Sequence, residues 1–426
     1  MTPSGYLSER INMVYVISMS GKPLMPTTPR KARLLLKNGK AKCIRRTPFT
    51  IKLLYKTTEY TQPLTHGLDA GSGTVGSVVA DDNGNVVYAS EIFLRQDIKE
   101  KMDRRRDYRR TRRGRLRNRE NKNNNRKNSK RKDRISPTVL SKINSHLKEV
   151  RFVQKLLPIT SLIVEGAIFD PHALKNPEVL NHKWLYQKGT NFGYANTKAY
   201  VRHRDGYICH HCKGKSKDPH LHVHHIIFRR NNGSDEPENL ITLCETCHNK
   251  LHDGKIKLKL EGKELGSSLA HATQMNCVRS QLMKRLDCEE TYGYITSELR
   301  QFYGLPKEHY VDAAVIATRG LKPNFKTQEV LLKKCVADGD YRQTSGRHSE
   351  VRLTTRKISG FRKYDKVLYL GNEYLIRGRM STGYAQLMDI YGKAQKLLPI
   401  PKFSKMTRLS ARDTWIIQAK TIQSIA

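Results

Sequence analysis

Hydrophobic and polar positions along the chain predict short strands interrupted by helices. MVYVIS at 13–18 and TIKLLY at 50–55 are typical of strands. Apolar runs at 75–80 and 86–89 flank DDNGN, which favours a hairpin. ITSLIVEGAIFD indicates a further buried strand that carries one acid, Glu165.

Helical patterns separate these strands. Ser136 is a suitable N-cap, and Pro137 a suitable first residue, for an amphipathic helix over 137–157. The last hundred residues have a different pattern, with short alternating strands broken by Gly and Asn. This pattern is typical of a small β-barrel. At 426 residues the chain is long enough for more than one core.

Charge narrows the class of partner. The chain has 79 Lys and Arg against 39 Asp and Glu, a formal net charge of +40. A polyanionic binding partner makes such a net charge tolerable. Lys and Arg neutralise its phosphates, and the counterions released on binding drive the association. A basic membrane-surface protein is the alternative, but the sequence shows no amphipathic basic helix with an apolar face and no apolar run that spans a bilayer. Eight unevenly placed Cys and the lack of a signal-peptide layout favour a reducing compartment.

The most basic segment is 103–134, with 17 Lys and Arg against 4 acids. Its arginines cover every face of a predicted helix, which would repel itself unless phosphates surrounded it. Such a charge run could also form a solvated helix face or a disordered basic tail. Nucleic-acid contact is the favoured interpretation, and it is predicted for Arg104, Arg105, Arg106, Arg109, Arg110, Arg112, Arg113, Arg115, Arg117 and Arg119, and for Arg30 and Arg33 in an earlier basic helix.

Two CxxC pairs predict a structural zinc site. Cys209 and Cys212 form one pair, and Cys244 and Cys247 the other. Each pair can place two thiolates on one ion, and four thiolates complete a closed tetrahedral shell.

The histidines between and after these pairs need a separate explanation. His248 and His252 are four apart and would share a helix face, while the adjacent His224 and His225 of a strand would point to opposite sides. This block resembles the HNH nuclease family, a ββα-metal finger. The resemblance lies in the order of its motifs, which is HH, then Asn239, then CHxxxH. The resemblance implies that His225 is the general base, that Asn239 orients it, and that His224 and His248, with His252 as a possible further ligand, hold one Mg²⁺. A purely structural zinc finger is the alternative.

Three acids lie in apolar runs far apart in the sequence. Asp69 and Glu165 end predicted strands, and Asp312 shares a helix face with His309. Converging carboxylates would repel one another, and divalent metals relieve that repulsion, as in two-metal phosphodiester cleavage. Each acid alone could also be a helix cap or a half-exposed strand residue.

The order of these motifs along the chain resembles that of a larger family of nucleases. GLDAGSGTVGSVV, LIVEGAIFD and HYVDAAVIA resemble the three split segments of a RuvC nuclease, with the arginine helix after the first and the HNH block between the second and third. With the literal PLMP at 23–26, the chain resembles IscB, the transposon-encoded family ancestral to type II CRISPR effectors.

The resemblance implies an α+β multidomain protein with an RNase H-like (RuvC) core and an inserted ββα-metal HNH domain carrying the zinc knuckles. The expected segments are an N-terminal PLMP domain (1–60), RuvC segment I (61–94), an arginine-rich bridge helix (95–134), RuvC segment II (135–192), the HNH domain (193–256), RuvC segment III (257–325) and a small β-rich C-terminal domain (326–426) that contacts the guide RNA and a target-adjacent motif.

The implied activity is RNA-guided DNA cleavage in a prokaryotic cytoplasm. Asp69, Glu165 and Asp312 would hold two Mg²⁺, and His309 would activate water or assist a metal. The HNH centre would cut the guide-paired strand and the RuvC centre the displaced strand of duplex DNA. The protein would act as a monomer with a structured guide RNA, the ωRNA. A protein-only homing or restriction-type endonuclease and a non-enzymatic nucleic-acid-binding protein are the alternatives.

Overall fold

A computed structural model describes residues 13–115, 134–189, 191–228, 233–258, 270–327, 329–337, 341–343, 350–352, 357–413 and 415–422. Two compact units divide the chain. One comprises the described residues of Met1–Ala167 and Met275–Ala426, and the other is Ile168–Gln274. Across the described ranges, no helix combines the length and the apolar character needed to cross a bilayer.

The first elements form a small sheet with one helix. They are β1 (Val14–Ile17), β2 (Pro23–Thr27), α1 (Pro29–Lys37), β3 (Ala41–Arg45) and β4 (Thr50–Leu53). The strand order is β2-β1-β4-β3, and β1 and β4 are parallel. The Thr28 hydroxyl caps α1 by accepting from the Lys31 amide, and Gly39, with φ of 66°, follows its end. PLMP therefore lies in β2.

The next elements contain the predicted hairpin and the arginine helix. They are β5 (Leu64–Asp69), β6 (Thr74–Asp81), β7 (Asn85–Phe93), α2 (Ile98–Gly114), α3 (Pro137–Gln154) and β8 (Ser161–Glu165). The turn between β6 and β7 confirms the hairpin. Ser136 caps α3 by accepting from the Val139 amide, as predicted.

The second compact unit contains the Cys/His block. Its elements are α4 (Pro171–Lys175), α5 (Glu178–Asn181), a 3₁₀ helix (Lys183–Gln187), α6 (Thr197–Arg204), β9 (Leu221–His225), a 3₁₀ helix (Pro237–Asn239), β10 (Leu240–Cys244) and α7 (Glu245–His252). The unit begins at Ile168, so residues 168–192, which the sequence assigns to RuvC segment II, lie in it. Within the unit an ion pair between Lys175 and Glu236, 2.5 Å apart, joins α4 to the loop before β10.

The remaining chain returns to the first unit. Its elements are α8 (Ala270–Arg285), β11 (Glu289–Thr291), α9 (Gly293–Phe302), α10 (His309–Ala317), β12 (Asn324–Phe325), β13 (Glu329–Cys335), β14 (Tyr341–Gln343), β15 (Glu350–Arg352), β16 (Lys366–Tyr369), β17 (Asn372–Arg379), β18 (Ala385–Met388), β19 (Ala394–Gln395), a 3₁₀ helix (Phe403–Lys405), β20 (Thr407–Ser410) and β21 (Trp415–Thr421).

The central sheet has eight strands, in the order β11-β8-β5-β6-β7-β13-β21, with β12 also paired to β7. β5, β6 and β7 are antiparallel, whereas β8 runs parallel to β5 and β11 parallel to β8. These directions confirm the RNase H-like core. β13 and β21 extend the same sheet, although both lie beyond 326, where the sequence predicts a separate domain.

The rest of the C-terminal region forms its own antiparallel sheet, in the order β19-β18-β17-β16-β20. Val367, Ile376 and Leu387 are fully buried in its core. The region is β-rich, as predicted. Among the described strands β19 and β20 lie at the two edges, so the alternating pattern forms an open sheet and not a closed barrel.

Two glycines allow α10 to lie directly on the central sheet. A Cβ at Gly67, on β5, would collide with the backbone of Ala313, and a Cβ at Gly76, on β6, would collide with the carbonyl oxygen of His309. Helix and sheet backbones can approach this closely only where the strand lacks a side chain. The approach fixes the position of α10 and of the residues that it carries.

We predict that Gly76→Ala destabilises the protein by about 1–3 kcal/mol, because the methyl group has no space and α10 must shift. Urea unfolding of the metal-free protein measures the change. Gly114→Ala is the matched control, since a Cβ there meets no atom within 4 Å. Equal stability of Gly76→Ala and wild type would contradict the close approach.

Candidate nuclease centres

The first centre is built where β5 and β8 end side by side. Asp69 and Glu165 are register partners on these parallel strands, so their carboxylates leave the same edge of the sheet. His309 lies at the start of α10, the helix that packs on the sheet, and its Nδ1 is 2.6 Å from Oδ2 of Asp69. Asp312 follows one turn later on the same helix. The structure thus brings together the four residues that the sequence predicts for this centre.

Two further side chains contact these acids and were not predicted. Arg300, on α9, forms an ion pair with Asp312, with 2.8 Å between Nε and Oδ1. Thr296, one turn earlier on α9, hydrogen-bonds to Glu165. No motif marks either residue, because α9 reaches the acids only through its packing beside α10.

The environment of the acids is that of a cation site. Burial, with the nearby charge of Asp69, raises the pKa of Glu165 to about 7. The same two causes raise the pKa of Asp312. The hydrogen bond to Asp69 raises the pKa of His309. Carboxylate repulsion in a partly buried site is what divalent cations relieve, and carboxylate oxygens are the ligands that Mg²⁺ prefers, so this donor set fits Mg²⁺.

The second centre lies in the ββα part of the second unit. β9 and β10 pair antiparallel, with His224 opposite Ile241 and His225 opposite Leu240. His224 is buried and lies in one cluster with His248 and His252 of α7, with one ring nitrogen from each within 4.8 Å of the others. The His248 and His252 Nε2 atoms are 3.3 Å apart. The predicted histidine cluster is therefore present, and all three imidazoles contribute to it.

His225 points away from this cluster and pairs with a residue that was not predicted. Its Nε2 lies 2.7 Å from Oδ1 of Asp235. A carboxylate in this position fixes the orientation and the tautomer of an imidazole. The only signal in the sequence is the acidic run DEPE at 235–238 between His225 and Asn239, and it does not distinguish Asp235 from its two neighbouring acids.

Asn239 holds that loop in place. Its Oδ1 accepts from the Ile227 amide at 2.8 Å, and its Nδ2 donates to the carbonyl oxygens of Ile227 at 3.0 Å and Ser234 at 2.8 Å. The side chain is buried, so these bonds replace water. Asn239 thus positions the segment that carries Asp235, which agrees with the orienting role implied for it.

The chemistry of the histidine cluster does not fit the Mg²⁺ expected there. Burial, together with the neighbouring imidazoles, lowers the pKa of His224 to about 4, and the same two causes lower the pKa of His248. Three imidazoles around one point are ready ligands for Zn²⁺, Ni²⁺ or Co²⁺, whereas Mg²⁺ selects oxygen. His222 stacks on His248, with ring centroids 5.1 Å apart, so it packs against the cluster but is not part of it.

The four predicted cysteines form a second cluster in this unit. One Sγ from each of Cys209, Cys212, Cys244 and Cys247 lies within 4.8 Å of the others. Burial raises the pKa of Cys209 and Cys247. Burial also disfavours the thiolate of Cys212, but hydrogen bonds with Ser216 outweigh it and lower its pKa to about 6. Four soft sulfur ligands around one point fit a structural Zn²⁺.

The arginines of α2 form an exposed cationic surface. Those among the described residues are all exposed, namely Arg104, Arg105, Arg106, Arg109, Arg110, Arg112, Arg113 and Arg115. Only ion pairs such as Arg104 to Glu100, at 2.8 Å, partly offset them. Arg30 and Arg33 are likewise exposed on α1. The predicted Arg117 and Arg119 lie outside the described residues.

Comparison with known proteins finds two family models that match separate parts of the chain. Residues 14–189 match the family described as RRXRR protein. Residues 209–254 match the family described as HNH endonuclease. The two matches support the resemblance to IscB. The chain therefore carries an HNH endonuclease domain within its second compact unit.

More distant similarities cover parts of the chain. The type IV methyl-directed restriction enzyme EcoKMcrA of Escherichia coli K12 is 35% identical over 65 residues, which is 14% of this chain and 23% of that enzyme. Anaredoxin of Nostoc is 34% identical over 61 residues, 14% of this chain and 76% of that protein. Streptococcus thermophilus Cas9 crystallised with the AGAA PAM is 15% identical, with a TM-score of 0.31, over 57% of this chain and 32% of that one. The chain thus spans about a quarter of the restriction enzyme and a third of Cas9.

The raised pKa of Glu165 predicts how pH acts on the metal-free protein. Between its ordinary pKa of 4.5 and about 7, the folded state holds a proton on Glu165 that the unfolded state has released. Stability therefore falls as pH rises through this window. Glu165→Gln should lose less stability than wild type between pH 5 and 7.5, as measured by urea unfolding in a chelator. The exposed Glu238→Gln serves as control. A wild-type slope in the Glu165→Gln variant would contradict the assignment.

The cysteine cluster predicts a zinc-dependent second unit. Cys244→Ser should bind one zinc fewer than wild type by elemental analysis, and should lower the melting temperature of the second unit, because structural Zn²⁺ contributes folding free energy. The control is Cys43→Ser, which changes an exposed thiol outside the cluster. Unchanged zinc content in Cys244→Ser would show that the thiols do not bind zinc.

Proposed function

We propose that this protein is an RNA-guided DNA endonuclease with two nuclease centres. The supporting observation is the arrangement of the acidic centre. Asp69, Glu165 and Asp312 come from three separate chain segments, the exposed arginine helix follows the first, and the HNH unit is inserted between the second and third. This arrangement joins two hydrolytic centres to a cationic surface suited to phosphates.

In the HNH centre, His225 acts as the general base. Its Nε2–H donates to Oδ1 of Asp235 in the metal-free chain, so Nδ1 is the ring nitrogen that accepts the proton. The attacking water gives its proton to Nδ1 as it becomes the nucleophile. A transition metal on His224, His248 and His252 would stabilise charge on the phosphate and the leaving oxygen. Asn239 fixes the loop so that Asp235 faces His225.

In the acidic centre, Asp69, Glu165 and Asp312 would hold the two Mg²⁺. Bound Mg²⁺ would lower the pKa of water and stabilise the leaving oxygen. His309 holds a proton between its Nδ1 and Asp69, so it can stabilise the ionised carboxylate or pass a proton to the departing oxygen. Arg300 neutralises part of the charge on Asp312 and keeps that side chain in place.

Base pairing by a guide RNA supplies the sequence specificity in this proposal. The arginines of α2 bind its backbone, and the C-terminal region reads a short target-adjacent motif. The HNH centre cuts the guide-paired strand, and the acidic centre cuts the displaced strand. A protein-only restriction-type endonuclease is the second candidate, and the 35% identity to EcoKMcrA favours it, although over 65 residues only.

The requirement for RNA separates these two functions. Protein purified from its native host should carry one structured RNA species, and its cleavage of DNA matched to that RNA should disappear after ribonuclease treatment. Returning the RNA with a changed guide segment should redirect cleavage to the new match. Full sequence-specific cleavage without RNA would support the restriction-type function instead.

The histidine cluster predicts which metal ion best supports cleavage of the guide-paired strand. In an Asp69→Ala background, Zn²⁺, Co²⁺ or Ni²⁺ should support cleavage of the guide-paired strand better than Mg²⁺. His224→Asp supplies an oxygen ligand and should move the preference toward Mg²⁺. His222→Asp is the control, because His222 packs beside the cluster without belonging to it. Fastest cleavage in Mg²⁺ by the chain that keeps His224 would contradict this donor assignment.

A further inference from the structure

A cationic cleft lies in the first unit, built from four segments distant in sequence. It has a volume of about 920 Å³ and is lined by the β3–β4 turn, one face of α3, residues at β16 and β17, and the residues around β20 and β21. Seven Lys or Arg line it against two acids. None of the catalytic residues belongs to it. A volume near the upper end of the range for small-ligand sites, about 300–1,000 Å³, gives room for several phosphates.

Aromatic rings hold two of these cations in place. The Arg45 guanidinium lies over the Phe152 ring, 4.7 Å from its centroid, and the Lys148 ammonium lies over Trp415 at 4.4 Å. The two rings pack against each other at 5.9 Å. Cation–π contacts fix the cations before any ligand arrives. The rings are thereby covered, so the cleft offers fixed charge and not a free surface for base stacking.

Beneath the rings lies a cation that is already neutralised. The Lys333 ammonium is fully buried, 3.9 Å from the Phe152 centroid, and pairs with Glu149 at 2.6 Å. Its charge is therefore satisfied inside the core. The excess charge of the cleft comes from the residues above the rings.

Three of those residues have no counter-ion in the described parts of the chain. Arg46, Arg151 and Lys155 are exposed and form no ion pair or side-chain hydrogen bond with any described residue. Arg151 and Lys155 are one turn apart on α3, and Lys148 precedes them on the same face. Like charges at this spacing repel one another. The arrangement is unfavourable unless an anion bridges them.

The concave shape selects among polyanions. Duplex DNA is stiff over about 50 nm and presents its phosphates on a convex cylinder, so it cannot enter a cleft of this size. A sharply turned RNA strand brings several phosphates to one side and can enter. We propose that the cleft binds a sharp turn in the backbone of the guide RNA. The inference rests on the RNA-guided function and adds a specific anchoring site to it.

The test compares two triple variants of the full chain. Arg46→Ala, Arg151→Ala and Lys155→Ala together remove the unpaired cations of the cleft. Lys213→Ala, Lys215→Ala and Lys217→Ala together remove three exposed charges from the second unit and serve as the matched control. Affinity for the co-purified RNA is measured from low to high salt, and hydroxyl-radical footprinting locates the protected backbone.

The cleft variant should reduce the slope of log K against log salt by about 2, since three single-strand phosphate contacts contribute about 0.7 each. It should also lose protection at one short RNA segment. The control should keep both the slope and the footprint.

If the cleft variant matches the control while wild type binds RNA, the cleft is not an RNA site. If only single-stranded DNA affinity falls, the cleft belongs to the displaced strand. If wild type binds no RNA, the RNA-guided function itself fails.

Discussion

The acidic centre depends on the close packing of one helix against the central sheet. Asp69 and Glu165 are placed by strand register, but His309 and Asp312 reach them only because Gly67 and Gly76 leave no Cβ under α10. The packing buries like charges together, and burial with the nearby charge of Asp69 raises the pKa values of Glu165 and Asp312. Arg300 and His309 offset part of this negative charge, and bound cations would offset more of it.

The two centres use different ligand chemistry. One presents carboxylate oxygens at a sheet edge, and the other presents three imidazoles between a hairpin and a helix. Hard and soft donors select different ions, so each centre can be loaded and tested separately. The second centre is part of a small unit with a limited apolar core, to whose stability a zinc ion on the cysteine cluster would add.

Local patterns in the sequence predicted much of this structure. The hairpin, the Ser136 cap and both CxxC pairs follow from spacing and capping alone. The four acidic-centre residues were grouped into one centre only through the resemblance of their segments to a RuvC nuclease. Arg300, Thr296 and Asp235 could not be found in this way, because each reaches its partner through packing of elements that carry no motif. The paired β13 and β21 were also missed, since strand alternation does not reveal which sheet a strand joins. The preference of the histidine cluster for a transition metal required the third imidazole to be seen beside the other two.

The most direct test of two separate centres is strand-resolved cleavage of a duplex matched to the bound RNA, with each strand labelled. Asp69→Ala should cut only the guide-paired strand. His225→Ala should cut only the displaced strand, with its loss on the other strand about 10²–10⁴-fold. If either single variant abolishes both cuts while still binding RNA and DNA, or if either leaves both cuts intact, the division of labour between the two centres is wrong.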